Sequence, residues 1–253
     1  MILDGFDILA FLAAAAFLAG FVDSIAGGGG LITVPVLLLA GLSPIQALGT
    51  NKLQSLFGAA TATIAYARNG HVNLAQQWKS AALSGVASAV GAWLISNIPN
   101  DAVRTFIPFL LIAIALFFWL KPGLSDDDRA QRITPFVFTA VVVPIIGFYD
   151  GFFGPGTGSF FMIAFITLAG FGVLKATAHT KLLNFASNFG AFLVFAVGGA
   201  VLWKIGLVMG VAQIAGAQCG SYLAMKNGAK LIKPLIIITC LALAVKLLAD
   251  TYI

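Results

Sequence analysis

Charge is what this sequence has least of: Asp, Glu, Lys and Arg together make up only 9% of its 253 residues. A soluble domain carries roughly 25% charged residues. So few charges cannot cover a water-facing surface, and with 60% hydrophobic residues most of the exterior must face lipid. No hydrophilic stretch is long enough for a separate soluble domain. The composition therefore points to one polytopic membrane domain over residues 1–253.

Other scarcities exclude further classes. The two cysteines, Cys219 and Cys240, both sit in apolar segments, so neither a disulfide framework nor a cysteine-based metal site is indicated. The two histidines, His71 and His179, are too isolated to hold a metal. No Ser-His-Asp arrangement or carboxylate pair suggests catalysis, so neither an enzyme nor a cofactor is expected. Lys and Arg nowhere alternate with aromatics, which argues against nucleic acid, and the net charge of +5 fits loops at a cytoplasmic surface. The opening run MILDGFDILAFLAAAAFLAGF lacks a basic region before its apolar stretch and carries Asp4 and Asp7 instead. It is expected to be a retained first helix rather than a cleaved signal.

What the chain does have is an internal repeat. At an offset of 129 residues, Leu39-Ala40-Gly41 falls on Leu168-Ala169-Gly170, Ala47 on Ala176, and Lys52-Leu53 on Lys181-Leu182. Gly70 and Val72 then meet Gly199 and Val201, and Gly91 and Leu94 meet Gly220 and Leu223. Upstream the register changes by two, so that Gly20-Phe21-Val22-Asp23 matches Gly147-Phe148-Tyr149-Asp150, and Gly27 and Gly29 match Gly154 and Gly156. Chance similarity among apolar residues does not place Asp, Lys and Gly at corresponding positions.

Each half reads as five apolar segments, at about 7–26, 31–42, 53–67, 79–97 and 104–120, then about 134–152, 159–171, 182–197, 205–224 and 232–250. The polar loop 121–133 joins repeat one (about 7–120) to repeat two (about 134–250). Crossing a bilayer takes about 20 apolar residues, with a lower limit near 17. The second and third segments of each half fall short, so each pair is a candidate re-entrant hairpin, tolerated at that depth only inside protein or a polar cavity. Ten tilted crossings are the alternative. Arg68, Lys79, Lys121, Arg129, Arg132, Lys226, Lys230 and Lys233 collect on one face, against Arg104 and Lys204 on the other. The positive-inside rule makes the first face cytoplasmic and puts both termini outside. Since five is odd, the second half must be inserted upside down. The expected fold is thus an all-α polytopic membrane protein of two inverted five-segment repeats, with short broken or re-entrant helices and about 8–10 membrane segments, a recurring transporter architecture.

Two constellations carry chemistry. The first is the turn between second and third segments, Ser43 to Lys52 and Gly172 to Lys181. Thr50, Asn51 and Thr180 suit N-cap positions there, and a helix N-terminus with a lysine beside it favours an anion. Gln54, Ser55, Asn184, Ser187 and Asn188 add polar groups to otherwise apolar helices, where function is their default explanation. The substrate-binding candidates are therefore Thr50, Asn51, Lys52, Gln54, Ser55, His179, Thr180, Lys181, Asn184 and Asn188. The plain alternative is a surface loop with Lys52 and Lys181 snorkelling to the headgroups.

The second constellation couples an aspartate to glycines, Asp23 through Gly30 and Asp150 through Gly158. Glycines permit close backbone approach, so Asp23, Gly27, Gly29, Asp150, Gly154 and Gly156 are candidates for gating or for binding a coupling ion. The alternative is a wet helix end with a tight turn. A nucleotide-type phosphate loop is excluded, because the Gly-Lys-Ser/Thr ending and the preceding strand are missing. Gly85, Gly91, Gly210, Gly216 and Gly220 in the fourth segments are read as helix-packing positions.

The stretch Gly20-Phe-Val-Asp-Ser-Ile-Ala-Gly-Gly-Gly-Gly30-Leu-Ile-Thr-Val-Pro35, followed by Ala47-Leu-Gly-Thr-Asn-Lys52, resembles the TauE/SafE family, also called the sulfite exporter family. The likeness continues through Gly147-Phe-Tyr-Asp-Gly-Phe-Phe-Gly-Pro-Gly-Thr-Gly158 and Thr180-Lys-Leu-Leu-Asn184-Phe-Ala-Ser-Asn188, and so covers essentially the whole chain. The second half departs from the first where His179 and Thr180 stand for Thr50 and Asn51. The resemblance implies a transporter of sulfur-containing anions such as sulfite, sulfoacetate or related organosulfonates, in a bacterial inner membrane. The expected function is a secondary transporter, an exporter by alternating access, whose partners are a small anion and the bilayer. A homo-oligomer is left open. The competing readings are an ion channel, a metal-cation carrier and a membrane enzyme acting on a lipid.

Overall fold

The computed structural model describes residues 5–101 and 130–228. Both fifth segments, most of the loop 121–133, and Arg104, Lys121, Arg129, Lys230, Lys233 and Cys240 lie outside the described residues. Among the described residues every regular element is helical and none is a strand.

The first half contributes α1 (Gly5–Ala26), α2 (Gly30–Leu39), α3 (Pro44–Arg68) and α4 (Leu74–Ser96). The second contributes α5 (Pro135–Phe152), α6 (Thr157–Thr167), α7 (Val173–Val197) and α8 (Trp203–Asn227). Within α5, residues Phe138–Val142 form a π-helical turn, a device often found at functional sites. Helices α1, α5, α7 and α8 are long and apolar enough to cross a membrane. Helices α3 and α4 have 25 and 23 residues, the length of a crossing. Trp78 and Trp93, both more than half exposed, sit near the two ends of α4, as interfacial aromatics do.

The short second segments stand as expected. Helix α2 has 10 residues and α6 has 11, roughly 15–17 Å of helix against a hydrocarbon core of about 30 Å. Neither α2 nor α6 is long enough for an ordinary crossing. The third segments are a correction: α3 and α7 each run 25 residues, because the polar stretches read as turns are helical. Helix α3 starts at Ser43, whose hydroxyl accepts from Gln46 N–H while the Gln46 side chain accepts from Ser43 N–H, with Pro44 in the first turn. This capping box, about two helical turns before Thr50, supplies the start signal. Helix α7 starts after Gly172.

Lipid tails are as apolar as leucine, so close packing rather than hydrophobic burial holds these helices together. The fourth-segment glycines serve that end. A Cβ on Gly91 would fall on Phe148 O of α5, and one on Gly216 on Phe17 O of α1, while Gly85 packs on Ala186 of α7 and Gly210 on the Phe57 ring. Helix α1 packs along α8 and α4 along α5, while α3 and α7 pack on each other and on α8 and α4 respectively. Exchanging the two halves turns α1·α8 into α4·α5 and α3·α8 into α4·α7, and leaves α3·α7 as it is.

Candidate functional site

The site begins where two helices stop. Helix α1 ends at Ala26, and after a short break α2 begins; α5 ends at Phe152, and α6 begins in the same way. Gly27 and Gly28 (φ +78° and +94°) and Gly154 and Gly156 (φ +91° and +86°) take a left-handed backbone, which explains the glycines. The two breaks meet. Gly27 lies against the backbone of Gly158 and Ser159, and Ser159 Oγ donates to Ala26 O at 2.8 Å. A Cβ on Gly154 would stand 2.7 Å from Lys52 Nζ, so this break must also stay bare to admit the lysine.

Lys52 and Lys181 occupy the same place in their helices, eight residues past Pro44 in α3 and eight past Val173 in α7. Each reaches across to the aspartate of the other half. Lys52 Nζ lies 2.9 Å from Asp150 Oδ1, and Lys181 Nζ lies 3.7 Å from Asp23 Oδ2 while also donating to the Asp23 backbone carbonyl. The lysine side chains are 1% and 0% exposed, and the aspartate side chains 2% and 12%. The lysines therefore do not snorkel from surface loops, and Asp150 is buried, while the Asp23 side chain keeps slight exposure. A buried charge is tolerated when paired and further bonded, and Asp23 is, since Oδ1 accepts from Gly29 N–H at 3.1 Å.

Asp23, Lys52 and Asp150 line a cavity of about 20 Å³, room for about one water molecule. Asn51, Ser55, Asn184 and Asn188 complete its polar wall. The remaining wall is Gly28, Gly30, Gly154, Gly156, Thr157 and Gly158, which includes the N-terminal residues of both α2 and α6. Such ends carry free N–H groups and the positive pole of the helix dipole. The anion-favouring ends are therefore those of the short helices. The long helices α3 and α7 supply lysines from their interiors instead.

Several expectations change accordingly. Thr50, Asn51 and Thr180 are not N-caps but lie inside helices. Thr50 Oγ1 accepts from Leu202 N–H at 3.0 Å and so ties α3 to the start of α8. Asn51 Oδ1 accepts from Thr33 Oγ1 at 2.6 Å and from Gln54 Nε2 at 2.9 Å, which fixes its amide toward the cavity wall. Asn188 Nδ2 donates to Asn184 Oδ1 at 3.2 Å. His179 is not brought to the cavity: it packs against the Phe165 and Phe171 rings, and its carbonyl accepts from Gln77 Nε2. Thr50, Gln54, Thr180, Gly27 and Gly29 do not line the cavity, and Lys181 reaches it through Asp23. Sequence reasoning missed the crossed pairing of Lys with Asp, and the wall residues Gly28, Gly30, Thr157 and Gly158. The signal was present in the matched positions of both Lys and both Asp, but their partners could be read only in three dimensions.

A family profile for the sulfite exporter TauE/SafE matches residues 12–247. The chain belongs to the TauE/SafE family. It is 63% identical over 245 residues to a probable membrane transporter protein, ORF9, of Sinorhizobium sp, covering 97% of this chain and 94% of that protein. The probable membrane transporter protein YfcA of Escherichia coli K12 is 48% identical over 237 residues, with 94% and 88% covered. A probable membrane transporter protein of Haemophilus influenzae is 45% identical over 246 residues, with 97% and 96% covered. No solved structure matches the chain. The protein is accordingly a multi-pass membrane transporter of this family and not an enzyme.

Proposed function

We propose that this TauE/SafE member is a secondary transporter that exports a small sulfur-containing anion, such as sulfite or an organosulfonate, by alternating access. The observation that carries this reading is the pair of fully buried lysines, Lys52 and Lys181, beside a cavity walled by the N-termini of α2 and α6. Two cations, two helix ends and three asparagine amides suit an oxyanion, which offers several acceptors to distribute among donors. The family description, sulfite exporter, supports the sulfur chemistry. The exchange symmetry of the packing supports two halves inserted in opposite senses, with the site at their interface. The protein then sits in the bacterial inner membrane with both termini outside. The small cavity corresponds to a closed state, and substrate entry requires the two halves to part.

Counterflow of radiolabelled sulfite in proteoliposomes tests the proposal. Saturable exchange, with unlabelled sulfite or sulfoacetate competing, is the expected result. Flux that neither saturates nor shows counterflow would make the protein a channel. No sulfite exchange by folded protein would remove sulfite from the reading.

A further inference from the structure

The buried cluster is electrically balanced: two lysines and two aspartates, each lysine held by the carboxylate of the other half. An anion entering so closed a site must either leave a net negative charge buried there or bring a cation with it. Burying uncompensated charge is far costlier than burying a neutral assembly. We infer that the transported anion takes the place of a carboxylate beside lysine, that the displaced carboxylate takes up a proton, and that the anion consequently crosses without net charge. This inference rests on the anion-transporter reading above.

The step balances. An ion pair of Asp carboxylate and Lys ammonium, plus the anion and one aqueous proton, becomes an Asp carboxylic acid and an anion–ammonium pair. For a dianion both pairs undergo it. No bond other than O–H forms or breaks, and the proton comes from the water on the side from which the anion enters.

The geometry gives the proton a place. Asp150 Oδ2 is buried and has no hydrogen-bond partner among the described residues, so it can be protonated without breaking a bond. Lys52 Nζ, although 2.9 Å from Asp150 Oδ1, likewise makes no aligned hydrogen bond, and its donors are available to an incoming oxyanion. At Asp23 the side chain is more accessible, and its Oδ1 is held by Gly29 N–H at the break before α2. Protonating Asp23 would weaken that bond and loosen the break. The titratable groups facing the carboxylates are Lys181 and Tyr66 at Asp23, and Lys52 and Tyr149 at Asp150. Tyr66 and Tyr149 spend their hydroxyl protons on the carbonyls of Ser24 and Pro155, which leaves the lysines as the counter-charges.

Net flux of labelled sulfite from sodium-free proteoliposomes, with membrane potential clamped by potassium and valinomycin and internal pH followed with a dye, tests this. An anion moving alone with one negative charge would have its equilibrium ratio shifted about 50-fold by ~100 mV. The expected result is a flux that does not change with potential and is accompanied by proton movement. In Asp150→Asn the resting cluster carries one excess positive charge and that pair has no carboxylate to protonate, so whatever net flux remains is expected to follow the potential and to move fewer protons per sulfite. Native flux that follows the potential as a bare anion would, or that moves no proton, overturns the inference while leaving the transporter standing. Absence of sulfite exchange at zero potential would instead count against the substrate reading itself.

Discussion

Lys52 and Asp150 stand 2.9 Å apart, both buried, and come from different halves of the chain. Lys181 and Asp23 repeat the relation with the halves exchanged. Neither half can therefore neutralise its own lysine, and the halves must meet for the site to exist. Stability and transport depend on the same four residues but in separable ways.

Removing one partner of a buried pair leaves a bare charge and costs about 3–5 kcal/mol, whereas replacing both by apolar residues is often neutral. Lys52→Ala is thus expected to lower the melting temperature in detergent strongly. Lys52→Met combined with Asp150→Leu is expected to regain most of it. Thermal unfolding followed by tryptophan fluorescence compares the two.

Gly154 is constrained twice, by its φ of +91° and by Lys52 Nζ at 2.7 Å from where a Cβ would stand. Gly70 has a φ of +75° but nothing within 4 Å of that place. Both alanine variants incur backbone strain of roughly 1–2 kcal/mol. Only Gly154→Ala displaces the lysine, and we expect at least a tenfold loss of sulfite exchange there, against a near-native rate for Gly70→Ala. Equal rates in the two would show that the close approach to Lys52 does not matter.

The start of α3 offers a third check. Ser43→Ala removes the cap and is expected to cost about 1 kcal/mol with exchange unchanged, because Ser43 lies outside the cavity wall. Thr50→Ala should lower stability through the lost bond to Leu202 N–H. It should leave the amide exchange of the α3 first turn as it was, and a frayed first turn would contradict the observed helix start.

Helix packing gives a fourth. A Cβ on Gly216 would fall on Phe17 O, and one on Gly91 on Phe148 O. Each Gly→Ala change must push a helix pair apart and should destabilise by roughly 1–3 kcal/mol. Because α1·α8 and α4·α5 are corresponding pairs, the two losses should be similar in melting experiments.

The membrane class, the shortness of α2 and α6 and the packing glycines were legible because each rests on composition or spacing. Helix boundaries at the polar stretches were not. Thr50, Asn51 and Lys52 look like a turn in sequence because a buried lysine directly after two polar residues is costly in an apolar helix. The groups that offset the cost, Asp150, Thr33 and the Leu202 amide, lie far away along the chain. His179 was drawn into the site by its position next to Thr180, yet the helix turns it onto Phe165 and Phe171. Lys and Asp were assigned separate tasks because nothing in a linear pattern says that each lysine answers the other half's aspartate.

The central claim is that the buried lysines hold the transported anion. The most direct measurement is sulfite counterflow by two double variants, Lys52→Met with Asp150→Leu and Lys181→Met with Asp23→Leu, each shown to be folded by its melting curve. Loss of exchange in both, with stability close to native, is the predicted result. Exchange at the native rate in either would contradict the claim and reduce that crossed pair to a structural link between the halves.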